Sequence, residues 1–102
     1  MFGKDKMNEI TDEMFYIVAV KDELTETFLQ PTFGENLEAL QRIFKTQINT
    51  LPIWKDNPTD FSLYLLGHFD QKTGIIIPEM KKIISGHSVK ERRETSDIQS
   101  VE

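Results

Sequence analysis

The sequence predicts an α+β domain: a small antiparallel sheet of about four strands with one amphipathic helix packed on one face, and flexible tails. Three stretches carry that expectation. Residues 14–20 (MFYIVAV) are dense in β-branched and aromatic side chains, and Leu37, Leu40, Phe44 and Ile48 recur at helical spacing. Residues 57–74 (NPTDFSLYLLGHFDQKTG) alternate at strand period and then turn. A chain of 102 residues with 38% hydrophobic content fills one modest core.

Taken in order, residues 14–20 read as a central strand that ends in the charged turn Lys21-Asp22-Glu23. Residues 26–33 (ETFLQPTF) read as a short strand beside it; Pro31 cannot donate to a ladder, so this strand is an edge or ends at Gln30. Gly34 breaks the chain and Asn36 caps an amphipathic helix over 36–50, which Pro52 stops. Residues 53–60 (IWKDNPTD) read as a loop with Trp54 folded back onto the core. The second half is a hairpin: 61–69 as one arm, 70–74 as the turn with Gly74 at positive φ, and 75–77 as the other arm, ended by Pro78. Met80, Ile83 and Ile84 then allow a turn of helix or a last edge strand, closed by Gly86.

The expected domain spans 14–86. Residues 1–13 are expected to be a flexible extension and 87–102 a charged flexible tail, because their few apolar side chains cannot offset the entropy of ordering. With no cysteine, disulfides and thiolate chemistry are excluded, which fits the cytoplasm. The apolar runs are too short to span a bilayer, and no secretory signal opens the chain. Net charge is −5, from 12 basic and 17 acidic residues spread along the chain, so no segment forms the cationic arm of a strong polyanion binder.

Catalytic chemistry finds no constellation. His68 and His87 lack a third ligand at metal spacing, and Asp22 with Glu23, or Asp56 with Asp60, are explained by turn chemistry. Ser62, Thr73 and Ser85 have no base at a recognisable offset, and GENLEAL lacks the glycines and lysine of a phosphate loop. The expectation is a protein that is not an enzyme and uses no metal or cofactor. Arg42 and Lys45 share an outer helix face, and Lys81 and Lys82 follow the hairpin. Brought together, these four are the candidate nucleic-acid contacts, with Phe33, Trp54 or Tyr64 as surfaces for stacking unpaired bases. Lys90, Arg92 and Arg93 cluster in the tail; acids beside all these groups make ordinary mixed surface the competing reading.

With those residues in view, the chain resembles the small nonstructural protein of microviruses, the single-stranded DNA phages of the gokushovirus type. The resemblance covers residues 14–86. It runs through Met14-Phe15, Asp22, Phe28, Gln30-Pro31, Arg42, Phe44 and Asn49. It is tightest at Pro58, Asp60-Phe61, Leu63-Tyr64, Leu66-Gly67, Phe69-Asp70 and Thr73-Gly74, of which Asp60, Phe61, Leu63, Tyr64, Gly67, Asp70 and Gly74 are assigned a structural role. The resemblance implies a phage protein made in the bacterial host but left out of the particle, DNA-binding, and acting where genome replication switches to packaging of single strands.

Two functions of different class follow. One is a packaging factor that contacts single-stranded DNA directly, with several copies assembling on the strand. The other is an adaptor that docks on the replication initiator or on the capsid or procapsid through a sheet edge such as 26–30, leaving nucleic acid to its partner. The acidic balance suits the second.

Overall fold

The structure, a computed structural model, describes residues 10, 11 and 13–91. The elements run β1 (Phe15–Asp22), β2 (Thr27–Phe28), β3 (Thr32–Gly34), α1 (Leu37–Thr50), α2 (Pro52–Asp56), a 3-10 turn (Pro58–Asp60), β4 (Phe61–Phe69), β5 (Ile76–Ser85) and α3 (Gly86–Val89). The fold is α+β. Its sheet is antiparallel and has five strands in the order β2-β1-β4-β5, with β3 also paired to β1.

β1 is central, as its apolar run requires, and continues to Asp22, whose Oδ1 accepts from the backbone N–H groups of Leu24 and Thr25 to turn the chain. The single strand expected over 26–33 is instead two. β2 pairs Lys21 with Phe28 and β3 pairs Val18 with Thr32, so three residues, 29–31, face Ala19 and Val20. This extra residue is a bulge at Pro31, where the missing N–H interrupts the ladder.

In α1 the Asn36 Oδ1 accepts from the Ala39 N–H at 3.0 Å, and Leu40, Phe44 and Ile48 are buried against the sheet. Pro52 ends α1 and also opens α2, since a helix tolerates proline at its first position. The loop expected over 53–60 is therefore mostly helical. Trp54, held on α2, stacks on Phe61 with ring centroids 4.9 Å apart.

β5 corrects the expectation that Pro78 ends its strand. It continues through Pro78 to Ser85, with a shift of register between Leu65 and Gly67 of β4, because an edge strand accepts proline where no ladder bond is needed. Opposite Pro78 lies Gly67, where a Cβ would sit 2.6 Å from the Ile77 carbonyl oxygen, so only glycine lets the backbones approach. Gly74 closes the hairpin at φ 78°.

The core joins Val18, Val20, Leu63 and Leu65 of the sheet to Leu40, Phe44 and Ile48 of α1, with Trp54 and Val89 packed against them. The folded body thus passes the boundary expected at Gly86. Asn49 ties it on: its Nδ2 donates to the Val89 carbonyl at 3.0 Å and its Oδ1 accepts from the Glu91 N–H at 2.8 Å. The flexibility expected of 1–13 and of 87–102 falls mainly on residues outside those described.

Candidate functional site

Side chains alternate across a strand, so the residues between the core positions face the other side of the sheet. Those are Ile17, Ala19 and Lys21 of β1, Ser62 and Tyr64 of β4, and Lys82 of β5, which lies opposite Tyr64. The described helices all pack into the core cluster on the first side, so no described helix covers this second, open side, although Ile17, Ala19 and Ser62 at its floor are buried.

Two aromatic pairs stand on the open side. Phe28, opposite Lys21, meets Tyr64 edge-on with centroids 5.3 Å apart, and Phe33, opposite Ile17, meets Phe69 edge-on at 5.4 Å. Phe28 and Phe33 remain 40% and 49% exposed. The Lys21 Nζ lies 5.5 Å from the ring centroids of both Phe28 and Tyr64, a cation–π arrangement that holds an ammonium beside two rings.

Glu23, just past β1, reaches back over this group. Its Oε1 lies 3.7 Å from Lys21 Nζ, its Oε2 lies 3.6 Å from Lys82 Nζ, and the Tyr64 hydroxyl donates to Oε2 at 3.1 Å. Burial pushes the Glu23 carboxyl up, but the Ser62 and Tyr64 hydroxyls and the charges of Lys82 and Lys21 outweigh it, so the net shift is downward. Burial and the hydrogen bond and charge of Glu23 push the Tyr64 hydroxyl up. Ser62 Oγ is near enough to favour the charged carboxylate, yet it is buried and completes no hydrogen bond of good geometry.

The structure separates the basic residues expected to act together. Arg42 and Lys45 lie exposed on the outer side of α1, bordering a shallow cleft with Thr46, Asn49, Thr50 and Glu91. Lys81 and Lys82 are neighbours on β5 and so point to opposite sides: Lys81 sits opposite Leu65, toward the helices, and Lys82 opposite Tyr64, on the open side. Of the stacking candidates, Trp54 is occupied by Phe61, while Phe33 and Tyr64 are on the open side.

Most of the motif residues build the scaffold. Phe61 and Leu63 are core, the Asp60 carbonyl accepts from the Glu23 N–H at 2.6 Å, and Asp70 Oδ1 accepts from the Lys72 N–H at 2.9 Å in the hairpin turn. Sequence reasoning missed Lys21, Glu23 and Phe28. Alternation already placed Lys21 opposite in facing to Val20, but only the strand register sets Phe28 and Tyr64 beside it.

His68 is buried, with Nε2 2.8 Å from Glu79 Oε1 and its ring 5.6 Å from that of Tyr16. Among the described residues, no group of three or more His, Cys, Asp or Glu could hold a metal, and no helix is long and apolar enough to cross a membrane.

Fold and surface together define a two-layer α+β protein with one uncovered, aromatic sheet side. Residues 15–89 match the model of the family described as Phage ORF5 protein, and the chain belongs to that family, a family of phage proteins. The match begins at the first residue of β1 and ends at the last of α3, so the family unit is the folded body. No curated protein and no solved structure matches the chain.

Proposed function

We propose that this phage protein binds single-stranded DNA through the open side of its sheet. In this reading it is a non-structural factor of a gokushovirus-type microvirus, working in the bacterial cytoplasm where genome replication gives way to packaging. The observation that supports DNA contact is the placement of half-exposed Phe28 and Phe33, with Tyr64, beside Lys21 and Lys82 on a side no described helix covers. Bases stack on aromatic rings whatever their identity, and ammonium groups answer the phosphates between them. The packaging step rests on the resemblance to microvirus proteins. Arg42 and Lys45 lie on the helix side and serve, in this reading, as auxiliary contacts at most.

The test is an anisotropy titration with labelled oligothymidylate and with duplex DNA, at low and moderate salt. Phe28→Ala and Tyr64→Ala are expected to abolish most single-strand binding, and the double variant Arg42→Glu, Lys45→Glu to leave most of it. Loss confined to the Arg42 and Lys45 variant would move the interface to α1.

An adaptor that docks on the replication initiator or procapsid is the second reading. Net charge −5 and the exposure of Ile76 at 54%, opposite Phe69 on the same open side, favour it. Absence of DNA binding together with co-purification of either viral partner would establish it over the first.

A further inference from the structure

We propose that the Glu23 carboxylate occupies the place of a backbone phosphate, so that Lys21, Ser62, Tyr64 and Lys82 form a phosphate subsite closed by the chain's own acid. This rests on the open side being the DNA surface. Donors from three strands converge on that one carboxylate: Lys21 from β1 at 3.7 Å, Tyr64 from β4 at 3.1 Å and Lys82 from β5 at 3.6 Å. Charge-assisted N–H···O bonds close to about 2.8 Å, so both ammonium groups stand off from the carboxylate rather than being locked to it.

Ser62 supplies a second sign. Its side chain is 1% exposed, it faces the open side between core residues Phe61 and Leu63, and its hydroxyl lies near enough to the Glu23 carboxylate to favour the charged form but completes no hydrogen bond of good geometry among the described residues. A buried hydroxyl without a partner is costly, and it stands beside a carboxylate whose two oxygens are already shared among three other donors. A phosphodiester presents its own anionic oxygens to the same cradle and brings bases to the neighbouring rings.

Opening the subsite needs little rearrangement. The Glu23 backbone is fixed by its N–H to the Asp60 carbonyl, and the turn beyond it is exposed, with Leu24 at 76% and Glu26 at φ 60°. Only the Glu23 side chain has to swing outward. One acid against two lysines makes the closed cluster weakly cationic, so an acidic protein presents its full positive charge here only once a phosphate displaces Glu23. Glu23 is thus a built-in competitor that sets how tightly, and how salt-sensitively, the strand is held.

The experiment compares oligothymidylate binding by the wild-type chain, by Glu23→Gln and by the double variant Glu23→Gln, Lys82→Gln, with urea midpoints to verify folding. Removing one like charge a few ångströms from a phosphate is expected to raise affinity about tenfold at low salt. It should also steepen the slope of log affinity against log salt by about one, and the double variant should lose both gains. A folded Glu23→Gln that binds no tighter than wild type overturns the inference while leaving the DNA surface intact. If Glu23→Gln does not fold, Glu23→Asp, which draws the charge back by one methylene, should give a smaller gain, and no gain overturns it. Should no variant bind DNA, the DNA reading fails, and pyrophosphate titration of Glu23→Gln decides the subsite. Amide NMR shifts centred on Lys21, Ser62 and Lys82 support it, and their absence ends it.

Discussion

The two sides of the sheet share the same strands and differ in what alternation hands to each. Toward α1 stand Val18, Val20, Leu63 and Leu65, closed over by Phe44 and Ile48 at 1% and 0% exposure. Away from it stand Lys21, Phe28, Phe33, Tyr64 and Lys82, with no described helix above them. A domain this size needs only one buried face, so stability is concentrated on the helix side, and the open side is free to carry large rings and charges.

The strongest challenge to that division is Phe44→Ala, which empties the centre of the covered side. It is expected to cost about 3–5 kcal/mol in urea unfolding; a cost under about 1 kcal/mol would show that stability is not held there. Next comes Gly67→Ala, whose Cβ would meet the Ile77 carbonyl oxygen at 2.6 Å. Forcing β4 and β5 apart should cost about 1–3 kcal/mol, with amide exchange quickening first along β5.

Phe28→Ala sharpens the contrast from the other side. Its effect on stability should stay within about 1 kcal/mol, while single-strand affinity falls by about 1–3 kcal/mol for each base unstacked. Equal losses in both measurements would erase the distinction between the two sides.

The smallest effect is on acid stability. Glu23 in the folded chain titrates below its ordinary value of 4.5, so the folded state binds its proton less readily than the unfolded chain. The stability it contributes is therefore complete above 4.5 and fades as pH falls through the lowered folded value. Urea midpoints measured down through that window should drop less for Glu23→Gln than for wild type. Parallel curves would mean that the cluster of Lys21, Tyr64 and Lys82 around the acid adds nothing to folding.

Local features were legible wherever neighbours in sequence decide them. Asn36 as a cap, the stripe of Leu40, Phe44 and Ile48, and Gly74 in its turn each follow from a few adjacent residues. Proline was read rightly as an edge marker at Pro31 and wrongly as a stop at Pro78. Pro31 falls where the strand divides into two, while β5 continues past Pro78 to Ser85 with only a shift of register between Leu65 and Gly67, so what lies across the ladder decides whether a proline ends a strand. The candidate site shows the same limit: Lys81 and Lys82 are inseparable in sequence and lie on opposite sides of the sheet.

By itself the sequence determined the α+β class, a single core and the kinds of residue each strand holds, because periodicity and turn chemistry act over a few residues. Only the tertiary structure decided which rings and ammonium groups meet. Lys21, Glu23 and Phe28 share one local hairpin, but Tyr64 and Lys82 come from strands far along the chain, and their company depends on strand order, register and bulges. Those are set by the packing of the whole sheet against α1, a long-range condition that no local pattern encodes.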